Sequence, residues 1–281
     1  MLSLFKRYRL GRSSAPAMSA FSFCTVCEQV KPTSQVEFEF AQQSLEFASD
    51  WLYQQQVNTN YADAGHLVLR DPADSRFREL LNHHLTIHSV PVILGNCHEL
   101  LLNALPLLAV DNEELGIIHI GHQFELKQTL DRQVGSVYHF ALSRYQQTRL
   151  FYFGIDADRV ASQTWEYAED LGCDWLTEEE CSFRHRAQVK NQLEHYIEHC
   201  DQLVISIDLA SLVPGNGLDD HKILDNQMVL RVLRQAVMSG KVKLIQLIGA
   251  KDKLIYSKQT KEMIDELGRL SQESFYSFNK E

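Results

Sequence analysis

The chain has 281 residues, enough for one large α/β domain with a full core. Hydrophobic residues make up 44% and charged residues 23%, and 27 Lys and Arg against 37 Asp and Glu leave a net charge of −10. That balance disfavours broad nucleic-acid binding, which needs clustered cations to displace counterions, and no apolar run reaches the roughly 20 residues that span a bilayer. A cytoplasmic protein without nucleic-acid or membrane partners is expected.

The first 20 residues depart from this pattern. Lys6, Arg7, Arg9 and Arg12 all precede the first acid, Glu28. No apolar stretch of the length a secretory signal needs follows them. An Arg/Ser-rich, acid-poor start resembles an organelle transit peptide; the simpler reading is a basic arm over 1–20, ahead of a single domain over 21–281.

Strand-length apolar runs occur at Phe21–Val26, Ala64–Leu69, Val90–Leu94, Gly116–Ile120, Leu150–Gly154, Gln202–Ile207 and Lys243–Ile248. Several are nearly continuous in Val, Ile and Leu, as strands covered on both faces require. Between them lie helix-length amphipathic segments: Ala41–Gln55, Ser75–His88, Leu100–Leu108, Ala161–Leu171, Arg184–His199, Gln227–Ser239 and Lys258–Leu270. The alternation predicts βαβ crossovers and a three-layer α/β/α sandwich with a mostly parallel sheet. No repeat or linker divides the chain.

The six cysteines are dispersed, and reduced thiols are expected rather than a disulfide framework. Cys24 and Cys27 form a C-x-x-C, but no second pair completes a zinc site, and they end a strand-like run rather than begin a helix.

Ligands of open parallel sheets bind beyond the carboxyl ends of the strands. Three strand ends carry chemistry. Val90-Pro-Val-Ile-Leu-Gly-Asn-Cys-His-Glu99 delivers His98. Gly116-Ile-Ile-His-Ile-Gly-His-Gln-Phe-Glu-Leu-Lys127 delivers His122 and Glu125. Leu203-Val-Ile-Ser-Ile-Asp208 delivers Asp208. Imidazole and carboxylate ligands from separate strand ends suit manganese, iron or zinc.

These three segments, in this order, resemble the metal motifs of the arginase (ureohydrolase) superfamily, in particular its formimidoylglutamase branch. Gly95-Asn-Cys-His-Glu99 is similar to that branch's Gly-Gly-Gly-His-Glu. His119-Ile-Gly-His-Gln-Phe-Glu-Leu-Lys127 has the shape of Asn-Phe-Asp-Ala-His-Phe-Asp-Leu-Arg. Ser206-Ile-Asp-Leu-Ala-Ser-Leu-Val-Pro214 follows Ser-Ile-Asp-Leu-Asp-x-Leu-Pro. The similarity runs from about residue 20 to about 270, with weaker matches at Tyr152–Ile155, Gly172–Cys173 and Ser239–Lys241. The resemblance implies an arginase-like fold, a tendency to form homo-oligomers, and two metal ions sharing a hydroxide that attacks a guanidinium or formimino carbon. One ion would be held at the positions of His98, Gly121, Glu125 and Asp208, the other at those of Gly121, Gln123, Asp208 and Ala210.

Here the chain departs from the family. His98 and Asp208 are kept and Glu125 is one methylene longer than Asp. Gly121 and Ala210 offer no ligand, and Gln123 offers a neutral amide. The last strand, which usually carries a Glu, has Gln246. The first metal position keeps three ligands and the second keeps only Asp208, so binuclear manganese is not expected. The cofactor is then either none or one divalent metal, manganese or zinc, at His98, Glu125 and Asp208, with His122 or Cys97 close enough in sequence to join.

Other candidates carry less. His84 with His88 and His195 with His199 have the i, i+4 spacing of helical zinc ligands but lack the His-Glu-x-x-His order. Ser206 lies within a strand rather than in a nucleophile elbow. Asp219, Asp220 and His221 read as a solvated turn, and no nucleotide-binding glycine motif is present. The expectation is a pseudoenzyme or binding module that takes a small amine, an amino-acid-like ligand or a protein partner. The alternative is an active one-metal hydrolase of linear amidine C–N bonds.

Overall fold

The computed structural model describes residues 21–56, 62–87, 89–109, 113–215 and 223–278. The basic arm, His88 and the Asp219–His221 segment lie outside the described residues.

Strand β1 (Phe21–Glu28) is buried along its whole length, consistent with its unbroken apolar and small-polar sequence. With β2 (Ala62–Leu69), β3 (Val90–Gly95), β4 (Leu115–Ile120), β5 (Thr148–Ile155), β6 (Asp174–Thr177), β7 (Gln202–Asp208) and β8 (Val242–Ile248) it forms an eight-stranded sheet of order β2-β1-β3-β8-β7-β4-β5-β6. Every pairing is parallel, so the expected mostly parallel sheet is wholly so. β6 did not stand out in the sequence because it is a four-residue edge strand, half exposed.

Helices cover both faces. On one, α1 (Gln35–Gln56), α6 (Arg186–Glu198), α7 (Asn226–Met238) and α9 (Lys258–Phe278) pack through Phe38, Leu45, Leu193, Val229 and Leu267. On the other, α2 (Arg76–Thr86), α3 (Leu101–Leu108), α4 (Val137–Arg144) and α5 (Ser162–Asp170) pack through Phe77, Leu101, Tyr138 and Ala168. A short α8 (Asp252–Ile255) precedes α9. Alternation along each strand feeds the two cores: Ile118 and Ile120 of β4 join the first, Leu115 and Ile117 the second.

α1 begins at Gln35 rather than Ala41. Ser34 and Glu37 form a capping box: Ser34 N–H and Oγ donate to Glu37 Oε2 at 2.9 and 2.7 Å, and Glu37 N–H donates to Ser34 Oγ at 3.2 Å. α4 has no sequence expectation behind it. It is one short, largely buried segment, too brief to show helical periodicity.

All six cysteines are reduced and buried. Cys24 and Cys27 face opposite cores, so the C-x-x-C is structural. Burial pushes the Cys27 thiol up to about 12, well clear of redox chemistry at neutral pH. Among the described residues no helix is long and apolar enough to cross a membrane.

Candidate functional site

β3, β8, β7 and β4 are neighbours at the middle of the sheet, so their carboxyl ends bring the three motifs together. β3 ends at Gly95, where a Cβ would lie 2.4 Å from Leu100 Cδ1. Glycine lets the chain turn there into a 3-10 turn, His98–Leu100, that buries the His98 ring. Nδ1 of His98 and Oγ of Ser206 are hydrogen-bonded at 3.0 Å. Burial lowers the His98 pKa, against the opposing pull of the Asp208 carboxylate.

Asp208 ends β7 and caps the following 3-10 turn. Its Oδ1 accepts from Ala210 N–H at 2.9 Å and its Oδ2 from Ser211 Oγ at 3.1 Å. A second acid, Glu125, sits on the loop after β4 with φ of +48°. That left-handed conformation costs a non-glycine residue roughly 1–2 kcal/mol. Aromatic packing anchors the neighbouring residue. Phe124 lies edge-on to Tyr152 at 4.6 Å and to Trp165 at 4.8 Å, pairs worth about 0.5–1.5 kcal/mol each beyond their burial. Burial, then the neighbouring Glu99 and Asp208, push the Glu125 carboxyl up to about 8.

Two residues that sequence reasoning did not select define the centre. His119, on β4, is fully buried, with its ring 5.0 Å from that of His98 and 5.1 Å from that of Tyr138. Its Nδ1 is hydrogen-bonded to the Tyr138 hydroxyl at 2.8 Å, and that hydroxyl also bonds Ser206. Burial holds the His119 pKa well below the ordinary value, so the ring is neutral. The signal was present, since His119 alternates with Ile118 and Ile120 on a buried strand. A histidine there reads as a core residue until the tertiary neighbours are known.

His119 bears directly on the metal question. A Cβ added at Gly121 would lie 2.8 Å from His119 Nε2 and 3.2 Å from Asp208 Cβ. The space where a shared metal ligand would begin is therefore taken by an imidazole. Ala210 has no donor, and Gln123 is exposed on the loop. These residues do not fit a two-metal centre. Among the described residues, no group of three or more His, Cys, Asp or Glu side chains is arranged to hold a metal ion. Cys97 is buried and its thiol pushed well up, by burial and by Glu99 and Glu28, so it offers no ready thiolate. His122 is held by its own contacts: its N–H donates to Ser211 Oγ at 3.2 Å and its Nδ1 donates to Gly154 O at 3.1 Å. His195 and His199 have ring centres 4.5 Å apart, but His199 Nδ1 donates to the His195 carbonyl.

Gln246, paired across the sheet with Ser206, is fully buried. Neither of its amide atoms has a hydrogen-bond partner among the described residues. An unmet amide is costly in an ordinary core; this one borders the polar layer of His98, Ser206, Tyr138 and His119.

Arg132 ties the loop after β4 to the strand ends. It pairs with the buried Glu28 carboxylate and donates to Glu99 O at 2.5 Å. Glu99 Oε1 accepts from Gly135 N–H at 2.8 Å and Ser136 N–H at 3.2 Å. Outside this clamp a cavity of about 830 Å³ opens, lined by His122, Glu125, Lys127, Arg159, Gln163 and Tyr167 among others.

An all-parallel eight-stranded sheet with histidine and carboxylates gathered at its central strand ends defines an α/β protein whose candidate site lies beyond those strand ends. The arginase family model matches residues 35–217, and the chain belongs to that family. It is 22% identical to formimidoylglutamase from Staphylococcus carnosus (strain TM300) over 177 residues, 59% of this chain and 56% of that protein. The match thus spans little more than half the length of that relative. Solved structures share the fold: formimidoylglutamase from Bacillus subtilis subsp. subtilis str. 168 (TM-score 0.68, 15% identity, 92% of this chain and 87% of that one) and arginase from Bacillus subtilis (0.70, 13%, 89% and 98%). Agmatine ureohydrolase of Thermoplasma volcanium is a third (0.64, 14%, 93% and 92%).

Proposed function

We propose that this arginase-family chain does not carry out two-metal hydrolysis and instead holds a small amine or amino-acid-like ligand in the cavity beside Glu125. The observation that carries this reading is the 2.8 Å approach of His119 Nε2 to a Cβ at Gly121. A carboxylate restored at 121 alone would collide with that ring. The second ion would have only Asp208, whose two oxygens already accept from Ala210 and Ser211. The cavity would suit a ligand with both signs of charge: Glu125 would ionise beside an amine or amidine, and Lys127 and Arg159, the latter already 3.4 Å from the Asp156 carboxylate, would offer cations to a carboxylate.

A second reading draws support from the clustering of charge. Glu125 and Asp208 are close enough to repel, and Asp208 acts on His98. Residues so placed would be drawn together by one divalent ion, manganese or zinc, held by His98, Glu125 and Asp208 with His122 adjacent. Such an ion would supply Lewis-acid activation for hydrolysis of a linear amidine.

Metal content separates the two. The protein is purified in manganese and, separately, in zinc, its bound metal measured, and formimidoylglutamate, arginine and agmatine assayed. Stoichiometric metal with turnover abolished in Asp208→Ala overturns the binding-module reading. A metal-free, inactive protein of unchanged stability overturns the hydrolase reading.

A further inference from the structure

Among the described residues, Glu125 is the one non-glycine residue with a positive φ, at +48°. Glycine adopts that conformation freely and a glutamate does not. A strained residue of this kind persists only where its surroundings over-determine it, and such residues cluster at ligand-binding sites. The segment that carries Glu125 is over-determined in this sense.

Four successive carbonyls of the loop after β4 each have a donor of their own, although the loop has no regular structure. His122 O accepts from the Asp156 N–H, just beyond β5, at 3.1 Å. Gln123 O accepts from the ring of His119 on β4. Phe124 O accepts from the Tyr152 hydroxyl on β5 at 2.6 Å. Glu125 O accepts from the Tyr138 N–H, in the first turn of α4, at 3.3 Å. Two of these donors are side chains, and their rings touch: the centres of His119 and Tyr152 are 5.6 Å apart. The tautomer of His119 follows. A carbonyl only accepts, and Nδ1 is occupied by the Tyr138 hydroxyl at 2.8 Å. Nε2, the nitrogen nearest Gly121, therefore carries the proton given to Gln123 O.

We propose that His119 and Tyr152 are positioning residues for Glu125. By holding the two carbonyls ahead of it, they fix the loop in the conformation that sets the Glu125 carboxyl at the wall of the cavity before a ligand arrives. Neither ring lines that cavity, so both act through the backbone. Phe124 turns into the aromatic core, 2% exposed, while its neighbour Glu125 borders the cavity. A ligand then meets an acid already in place, and binding does not have to order the loop. The inference rests on reading that cavity as a ligand site.

Amide hydrogen exchange of the full chain tests this without a ligand, and calorimetric titration with agmatine above pH 8 tests it with one. Tyr152→Phe keeps the ring and loses the donor. His119→Leu loses both ring nitrogens, and His119→Gln keeps an amide N–H that can reach the Gln123 carbonyl. The amides of His122 and Lys127, which donate to Ser211 Oγ and Gly135 O, are expected to exchange about 10-fold faster or more in Tyr152→Phe and His119→Leu. The sheet amides of Ile118 and Ile205 are expected to keep their wild-type rates, which certifies the fold. Agmatine binding is expected to weaken by about 10-fold in the same two variants, and His119→Gln to recover both properties. Unchanged exchange in the loop of Tyr152→Phe overturns the proposal, and that variant, with its ring packing intact, decides the matter if His119→Leu does not fold. A loosened loop that binds agmatine as tightly as the wild type also overturns it. A wild type that does not bind agmatine counts against the ligand reading of the cavity, and the exchange rates alone then decide whether the two side chains hold Glu125 in place.

Discussion

Nε2 of His119 lies 2.8 Å from where a side chain on Gly121 would begin. The ring is fixed from behind by Tyr138, whose hydroxyl bonds its Nδ1. Gly121→Asp alone is therefore expected to destabilise the fold by about 1–3 kcal/mol, the usual penalty for overpacking a filled site. His119→Asn with Gly121→Asp is expected to recover most of that loss, because the shorter amide vacates the space. Urea midpoints of the single and double variants check this; equal stability of Gly121→Asp and the wild type would show that the ring moves aside freely.

Arg132 and Glu28 form a buried pair at the base of the loop that carries Glu125. Removing the cation leaves a carboxylate in the interior, and such losses cost about 3–5 kcal/mol. Arg132→Ala is expected to destabilise by an amount of that order, and adding Glu28→Gln to return part of it. Equilibrium unfolding of the two variants measures the difference.

His66 and His84 both have pKa values lowered by burial from the ordinary 6.5. Each is neutral in the fold and gains a proton on unfolding once the pH drops below that value. The stability they contribute is full above pH 6.5 and is lost as the pH falls through their folded-state values. The wild type is expected to lose stability steeply below pH 6.5, and His84→Leu, whose ring is buried beside His83, less steeply. Parallel slopes for the two proteins would exclude His84 as a contributor.

Glu125 is the acid that faces the large cavity. Calorimetric titration with arginine and agmatine above pH 8, where the Glu125 carboxyl is ionised, is expected to show binding that weakens by about 10-fold or more in Glu125→Ala, since a charged hydrogen bond is worth about 1.5–3 kcal/mol. Arg159→Ala is expected to weaken arginine and spare agmatine, which lacks the carboxylate. Equal losses for both ligands would remove Arg159 from the carboxylate end.

Most of the architecture was legible in the chain itself. Strands such as Val90–Gly95 are nearly continuous apolar runs, as strands buried on both faces mostly are. The short elements were not legible. β6 has too few residues for a pattern, and α4 is buried on most of its surface, so neither shows a clean period.

That Gly121 and Ala210 carry no side-chain donor was likewise determined by residue type alone, because a side chain without a donor cannot bind a metal wherever it lies. What filled the vacated space was not. His119, Tyr138 and Ser206 come from β4, α4 and β7, and Gln246 from β8; their meeting depends on which strands are neighbours. Local periodicity says which face of one strand or helix is apolar. Only the packed sheet, by setting β3, β8, β7 and β4 side by side, says which polar residues meet at the strand ends.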